Sequence, residues 1–398
     1  MAVIYGSNLD NTLQGTLSND EIWGLDGADI FHWTSGIGND TIHGGDYADR
    51  YDANQYTPFN PGGDRLLIDG NIGAKVFFAT TEAGSVQVGN NTLKFTGIER
   101  FSGTEGNDII RGGAANLNAA HNGTPPHGLS IYTRGGNDDI IGSRFDDIID
   151  GGAGNDTIRG GDGHDFILSS TGNDLIYGGA GGENIRWGTG DRSHNPGHDT
   201  IYGGSGNDLI NLWIKDGDVY PSNEAVGIRG VEVKLTKVGA DSSFAGHAET
   251  TIGGSASVKF AQFELGWTHA GNDTIDGSGA TIASNGAGFN FNTRWGHDVM
   301  IGSRGNDTLV ADEGKDTVTG GAGNDQLWIG SGESGDGNRD VLNFARGHGQ
   351  DTVYGFDTHL DVLNLGGRNY SAAENSQGTL LNLGGGDTIL LAHVFDFI

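Results

Sequence analysis

Residues 136–185 repeat with a period of nine, and that period limits the fold more than any other feature of the chain. The stretch reads GNDDIIGSRFDDIIDGGAGNDTIRGGDGHDFILSSTGNDLIYGGAGGENI. Carboxylates recur at Asp138, Asp147, Asp156, Asp165, Asp174 and Glu183. An apolar residue follows each by two: Ile140, Ile149, Ile158, Ile167, Ile176 and Ile185. Glycines fill the turns, as in Gly151, Gly152 and Gly154, then Gly160, Gly161 and Gly163. The unit is GGxGxDxUx, with U a large apolar residue: a six-residue turn and a three-residue strand. The strict phase of both Asp and Ile argues against a Gly/Asp-rich disordered linker.

This nonapeptide resembles the calcium-binding repeat of RTX proteins. The resemblance implies an all-β chain, a right-handed parallel β-roll or β-solenoid with β-rich non-repeat segments. It implies several Ca²⁺ ions between successive turns, held by the repeat Asp and by turn carbonyls. It also implies a secreted protein, extracellular or at the cell surface. The candidate metal ligands are Asp20, Asp29, Asp40, Asp49, Asp138, Asp147, Asp156, Asp165, Asp174, Glu183, Asp199, Asp208, Asp298, Asp307, Asp316 and Asp325.

The physics of the unit is consistent with that implication. One buried Ile per unit contributes roughly 1.5–3 kcal/mol. Ordering each of its nine backbones costs about 1–2 kcal/mol, and glycine loses the most freedom. Ladder hydrogen bonds add only about 1 kcal/mol net apiece. With two nonapeptides per coil, stacked turns lie eighteen residues apart. Asp138, Asp156 and Asp174 then line one edge, and Asp147, Asp165 and Glu183 the other. These are rows of mutually repelling carboxylates. A hard cation with flexible, high oxygen coordination removes the repulsion and clamps the turns, and Ca²⁺ fits that description.

Composition agrees. Gly is 74 of 398 residues, against a usual ~7%, without a collagen-like period of three. The formal charge of −30 disfavours nucleic acid and anionic membranes as partners and favours cations. The chain has no Cys, so disulfides, thiolate zinc sites and a Cys nucleophile are excluded. No apolar run approaches the ~18 residues of a membrane helix, so membrane insertion is not expected. MAVIYGSNLDNTLQG lacks the basic and apolar regions of a cleavable signal.

The repeat is weaker outside the central run. Asn11, Asp20 and Asp29 precede Leu13, Ile22 and Phe31; Asp40 and Asp49 resume in shifted phase before Ile42 and Tyr51. Residues 53–63 read as a loop. Residues 64–101 are rich in β-branched and aromatic residues and read as several strands continuing or flanking the solenoid. GTEGNDIIRGG (103–113) is one more turn, and 114–130 an insertion.

The later half repeats this order. FTGIERFSGTEGNDII matches FAQFELGWTHAGNDTI at an offset of 165, and GNDDIIGSRFDDII matches GHDVMIGSRGNDTL at 160. The expectation is two homologous modules, 1–168 and 169–332, the second with its β-rich segment at 218–267. Residues 333–398 form a C-terminal cap, since a terminal repeat must hide the open end of the stack. That tail, with GDTILLA and an apolar end, also resembles the segment that carries RTX proteins through a type I secretion apparatus.

Other residues carry less. His164, His198 and His297 sit in GHD triplets, where Asn stands in other repeats; they read as occupants of a variable turn position, with proton transfer or metal ligation the alternative. His121, His127 and His194 lie in inserts. Trp187 and Trp295, each after an Arg (Arg186, Arg294), could stack on sugar rings or cover the roll as strand aromatics. GxGxxG-like strings lack a following helix, and no GxSxG or HExxH signature is present. Three functions stay open: a calcium-folded structural, surface or matrix protein without an active site; an extracellular polysaccharide lyase, hydrolase or epimerase; and a carbohydrate-binding or adhesive module.

Overall fold

A computed structural model describes the chain except residues 35, 37, 46–62, 114–127, 189–194, 214–228, 251–254, 331–334, 396 and 398. Among the described residues regular structure is strand alone. Two compact units are present, residues 1–186 with 198–206, and 187–197 with 207–398.

In the first unit each coil gives one short strand to each of two parallel sheets. Asp139–Ile141 pairs with Thr157–Gly163, which pairs with Leu175–Gly181, so Ile140, Ile158 and Ile176 are direct neighbours. On the other sheet Ile148–Asp150 pairs with Phe166–Leu168, and Ile149 abuts Ile167 and then Ile185. All six Ile side chains are 0% exposed. The stacked turns are therefore eighteen residues apart. Some strands outrun the three residues expected, because the glycine turn pairs too: Gly163 abuts Gly181. At that contact a Cβ on Gly181 would lie 1.7 Å from the Gly163 carbonyl oxygen, so only glycine lets the turns close.

The β-rich stretch is spliced into this ladder. Lys75–Thr80, Ala83–Val88 and Asn91–Thr96 form an antiparallel meander. Its outer strands continue the parallel stacking, Asn91–Thr96 against Asp40–Gly45 and Lys75–Thr80 against Ile109–Arg111. Val76, Val86, Leu93 and Phe95 extend the core through it.

The second unit is built the same way. Ile275, Met300, Val318 and Leu342 stack on one sheet, and Phe291, Leu309, Leu327 and Val353 on the other. Arg229–Val238, Phe244–Thr250 and Ala256–Phe263 form its antiparallel meander. At the C-terminal end Ser371–Asn375, Gly378–Gly384 and Asp387–Ala392 turn antiparallel, the last pairing parallel with Gln350–Tyr354.

Candidate metal centre

Each repeat carboxylate stands immediately before a strand, as Asp138, Asp156 and Asp165 do, or within its first two residues, as Asp40, Asp199 and Asp307 do, and is buried. One oxygen serves the fold. The backbone N–H of Asp108 donates to Asp138 Oδ1 (2.6 Å), that of Asp138 to Asp156 (2.8 Å), Asp156 to Asp174 (2.8 Å) and Asp174 to Asp199 (2.7 Å). On the other edge Asp147 donates to Asp165 (2.8 Å). In the second unit Asp273, Asp298, Asp316 and Asp340 donate in turn to Asp298, Asp316, Asp340 and Asp361; Asp307 donates to Asp325 and Asp325 to Asp351. Each of these turns is thus tied to the next by a hydrogen bond to a carboxylate.

The second oxygen is a different matter. Asp138, Asp156, Asp165, Asp174, Asp273, Asp298, Asp316 and Asp325 are 1–3% exposed. Their Oδ2 atoms have no hydrogen-bond partner of good geometry; the Thr133, Thr268 and Thr293 hydroxyls beside Asp138, Asp273 and Asp298 donate to backbone carbonyls instead. Burial pushes Asp156, Asp165, Asp174, Asp316 and Asp325 up to about 8, and neighbouring row carboxylates push the same way. Burial likewise raises Asp138 and Asp273 to about 7, and Asp298 well above the usual carboxylate range. A buried carboxylate of this kind is either protonated or matched by a cation.

The donor set suits a hard cation. No three carboxylates or imidazoles converge on one point among the described residues, so backbone carbonyls have to supply further ligands. They are at hand. A Cβ placed on Gly160 would lie 2.3 Å from Asp165 Oδ2 and 2.5 Å from the carbonyl oxygen of Gly178 in the next coil. The glycine leaves a cradle lined by a carboxylate and a carbonyl, the oxygen chemistry Ca²⁺ takes.

The structure places Asp20, Asp40, Asp138, Asp156, Asp174, Asp199, Asp298 and Asp316 along one edge of their units. Asp29, Asp147, Asp165, Glu183, Asp208, Asp307 and Asp325 lie along the other. Asp49 lies outside the described residues, as do His121, His127 and His194. Asp64, Glu99, Asp108, Glu264, Asp273, Asp340, Asp351 and Asp361 also continue the same rows and stood outside the candidate ligands, although Asp351 before Val353 and Asp361 before Leu363 keep the repeat spacing in sequence. Asp108 and Asp273 carried the signal, an Asp after Gly-Asn and two before Ile. Glu99 had only a carboxylate two before Phe101, and Glu264 lacked even that, since Gly266 stands two after it.

The rows are also interrupted. Ala74 and Leu129 in the first unit, and Val231 and Phe289 in the second, occupy carboxylate positions; their N–H groups donate to Asp108, Asp147, Asp273 and Asp307.

The residue ahead of each Asp is less variable than its sequence suggests. Asn137 N–H donates to Asn107 Oδ1, Asn155 to Asn137 and Asn173 to Asn155, an outer ladder beside the carboxylate one. His297 substitutes for Asn there, its Nδ1 accepting the Lys315 N–H at 3.0 Å. Trp187 is fully buried and belongs to the core, which leaves no ring face for a sugar. Trp295 is half-buried, and the Arg294 guanidinium lies 4.4 Å from the Trp267 ring centre and 6.0 Å from that of Trp295.

Parallel sheets wound from nonapeptides, with buried carboxylates at most turns, define a β-roll whose oxygen donors suit calcium. The chain carries repeats of the RTX type: the RTX calcium-binding nonapeptide repeat matches residues 5–32, 34–53, 95–116, 132–167, 160–191, 195–213 and 293–327. No curated protein matches it. Among solved structures it is similar to the extracellular lipase LipA from Serratia marcescens, at 18% identity and a TM-score of 0.18. The match covers 67% of this chain and 40% of the lipase chain.

Proposed function

We propose that Ca²⁺ between stacked turns converts this chain from an unfolded polyanion into a rigid β-roll, and that the roll is its working form: a secreted structural, surface or matrix element. The observation that carries the reading is the set of buried, unpartnered Oδ2 atoms of Asp138, Asp156, Asp165, Asp174, Asp273, Asp298, Asp316 and Asp325. Asp138, Asp156, Asp165, Asp174, Asp298, Asp316 and Asp325 hold the ions, with turn carbonyls completing the shell. Bound calcium supplies the positive charge that lets these carboxylates stay ionised while buried. Release into a calcium-rich exterior fits such a fold, and the segment from 333 onward is the candidate for type I export. Small-angle scattering of metal-free protein tests the reading: an expanded chain should contract on adding millimolar Ca²⁺. A compact particle in both states would refute it.

A further inference from the structure

Eleven of the row carboxylates fall into two kinds, which the residue four positions upstream separates. Before Asp138, Asp156, Asp165, Asp174, Asp298, Asp316 and Asp325 stand Arg134 (φ 69°), Gly152 (78°), Gly161 (131°), Ser170 (63°), Arg294 (63°), Asp312 (66°) and Gly321 (108°). All are left-handed. Arg134, Ser170, Arg294 and Asp312 hold a conformation their side chains rarely adopt, as happens where a site demands it. All seven carboxylates keep a bare Oδ2.

Thr16, Thr104, Ser143 and Ser303 take the same place before Asp20, Asp108, Asp147 and Asp307. None of the four has positive φ. Each donates its backbone N–H to Oδ2: Thr16 at 2.6 Å, Thr104 at 2.9 Å, Ser143 and Ser303 at 2.5 Å. Each hydroxyl donates to the same carboxylate as well. Ser7 closes on Asn11 in the same manner.

The Ser- and Thr-closed turns are not scattered, whereas Asp361, which the Asp357 N–H closes at 2.7 Å without a hydroxyl, follows Asp340 at the end of a run. Asp20, Asp108, Asp147 and Asp307 each follow a coil with an apolar residue at the row position, Ala2, Ala74, Leu129 and Phe289, whose N–H donates to Oδ1. Asp273 follows Val231 and departs from the pattern, with His269 four upstream and Oδ2 bare. We propose that a Ser or Thr closure marks the calcium-free first turn of a carboxylate run, and that calcium enters from the second carboxylate onward. The inference rests on calcium occupying the rows. A cation between two turns draws on a carboxylate from each, and the first member of a run has an apolar neighbour behind it. N–H and O–H donors satisfy its charge, and their positive ends exclude a cation from that oxygen.

Native mass spectrometry at saturating calcium tests this on the whole chain. Asp147→Asn should keep the wild-type ion count and a calcium midpoint of folding within about twofold. Asp165→Asn should lose at least one ion and shift the midpoint about tenfold or more. Equal ion loss in both would overturn the proposal. Should Asp147→Asn not fold, anomalous scattering from calcium-loaded wild-type crystals decides. An ion at ~2.4 Å from Asp165 and Asp325 Oδ2, with none at Asp147 and Asp307, supports it. An ion on Asp147 or Asp307 Oδ2 overturns it. No ion on any row carboxylate would instead remove the underlying calcium reading.

Discussion

The backbone N–H of Asp138 donates to Asp156 Oδ1 at 2.8 Å, across eighteen residues and one full coil. Asp156 therefore ties the preceding turn with one oxygen and leaves the other buried and bare. Asp156→Ala removes both roles, and should raise the calcium midpoint of folding about tenfold or more. Asp40→Ala should shift it less, because Asp40 Oδ2 already accepts the Trp33 indole N–H at 3.0 Å. Circular dichroism during calcium titration reads both. A larger shift for Asp40→Ala would misplace the centre of the metal rows.

Metal-free protein should be most stable in acid. Asp156, Asp165, Asp174, Asp316 and Asp325 rise from an ordinary 3.8 to about 8 on folding. A group with a raised folded pKa contributes stability that is intact below its unfolded pKa and lost as pH rises through the folded one. The loss should run between about pH 4 and pH 8. Denaturant midpoints of the calcium-free chain across that window should fall; a midpoint that rises contradicts the assigned burial.

Gly160→Ala should weaken calcium-driven folding through the cradle, since its Cβ would crowd Asp165 Oδ2 and the Gly178 carbonyl. Gly279→Ala is the control, because a Cβ there meets nothing within 4 Å. The calcium midpoint should move about tenfold for the first and stay put for the second. Equal shifts would show that glycine acts only through chain flexibility.

Ile167→Ala should cost about 2–5 kcal/mol in calcium-saturated protein, measured by denaturant unfolding. Ile167 is 0% exposed between Ile149 and Ile185. A cost below about 1 kcal/mol would mean that calcium alone holds the coil together.

How far these features could be read in advance depends on how local their causes are. Asp156 and Ile158 lie two residues apart, and the period of nine sets coil, burial and row together. The double duty of Asp156 was not legible, because Asp138 N–H finds its acceptor only after stacking. Ser143 and Arg134 differ in backbone φ, which no residue count reveals. The meander from Lys75 to Thr96 read as strands, but whether it flanked or continued the ladder depended on Asp40–Gly45 and Ile109–Arg111 accepting it on either side. Leu129 was read as part of the 114–130 insertion, yet it occupies a row position ahead of Ser130–Tyr132, since the insertion hides the phase.

Calcium titration of the metal-free chain, followed by far-ultraviolet circular dichroism, tests the central claim most directly. The spectrum should change from disordered to β-rich as Ca²⁺ passes through about 10⁻⁴–10⁻³ M, with Mg²⁺ a poor substitute because it demands a small octahedral site and holds its waters. A β-rich spectrum in the rigorously metal-free protein at neutral pH, unchanged by calcium, would contradict the account.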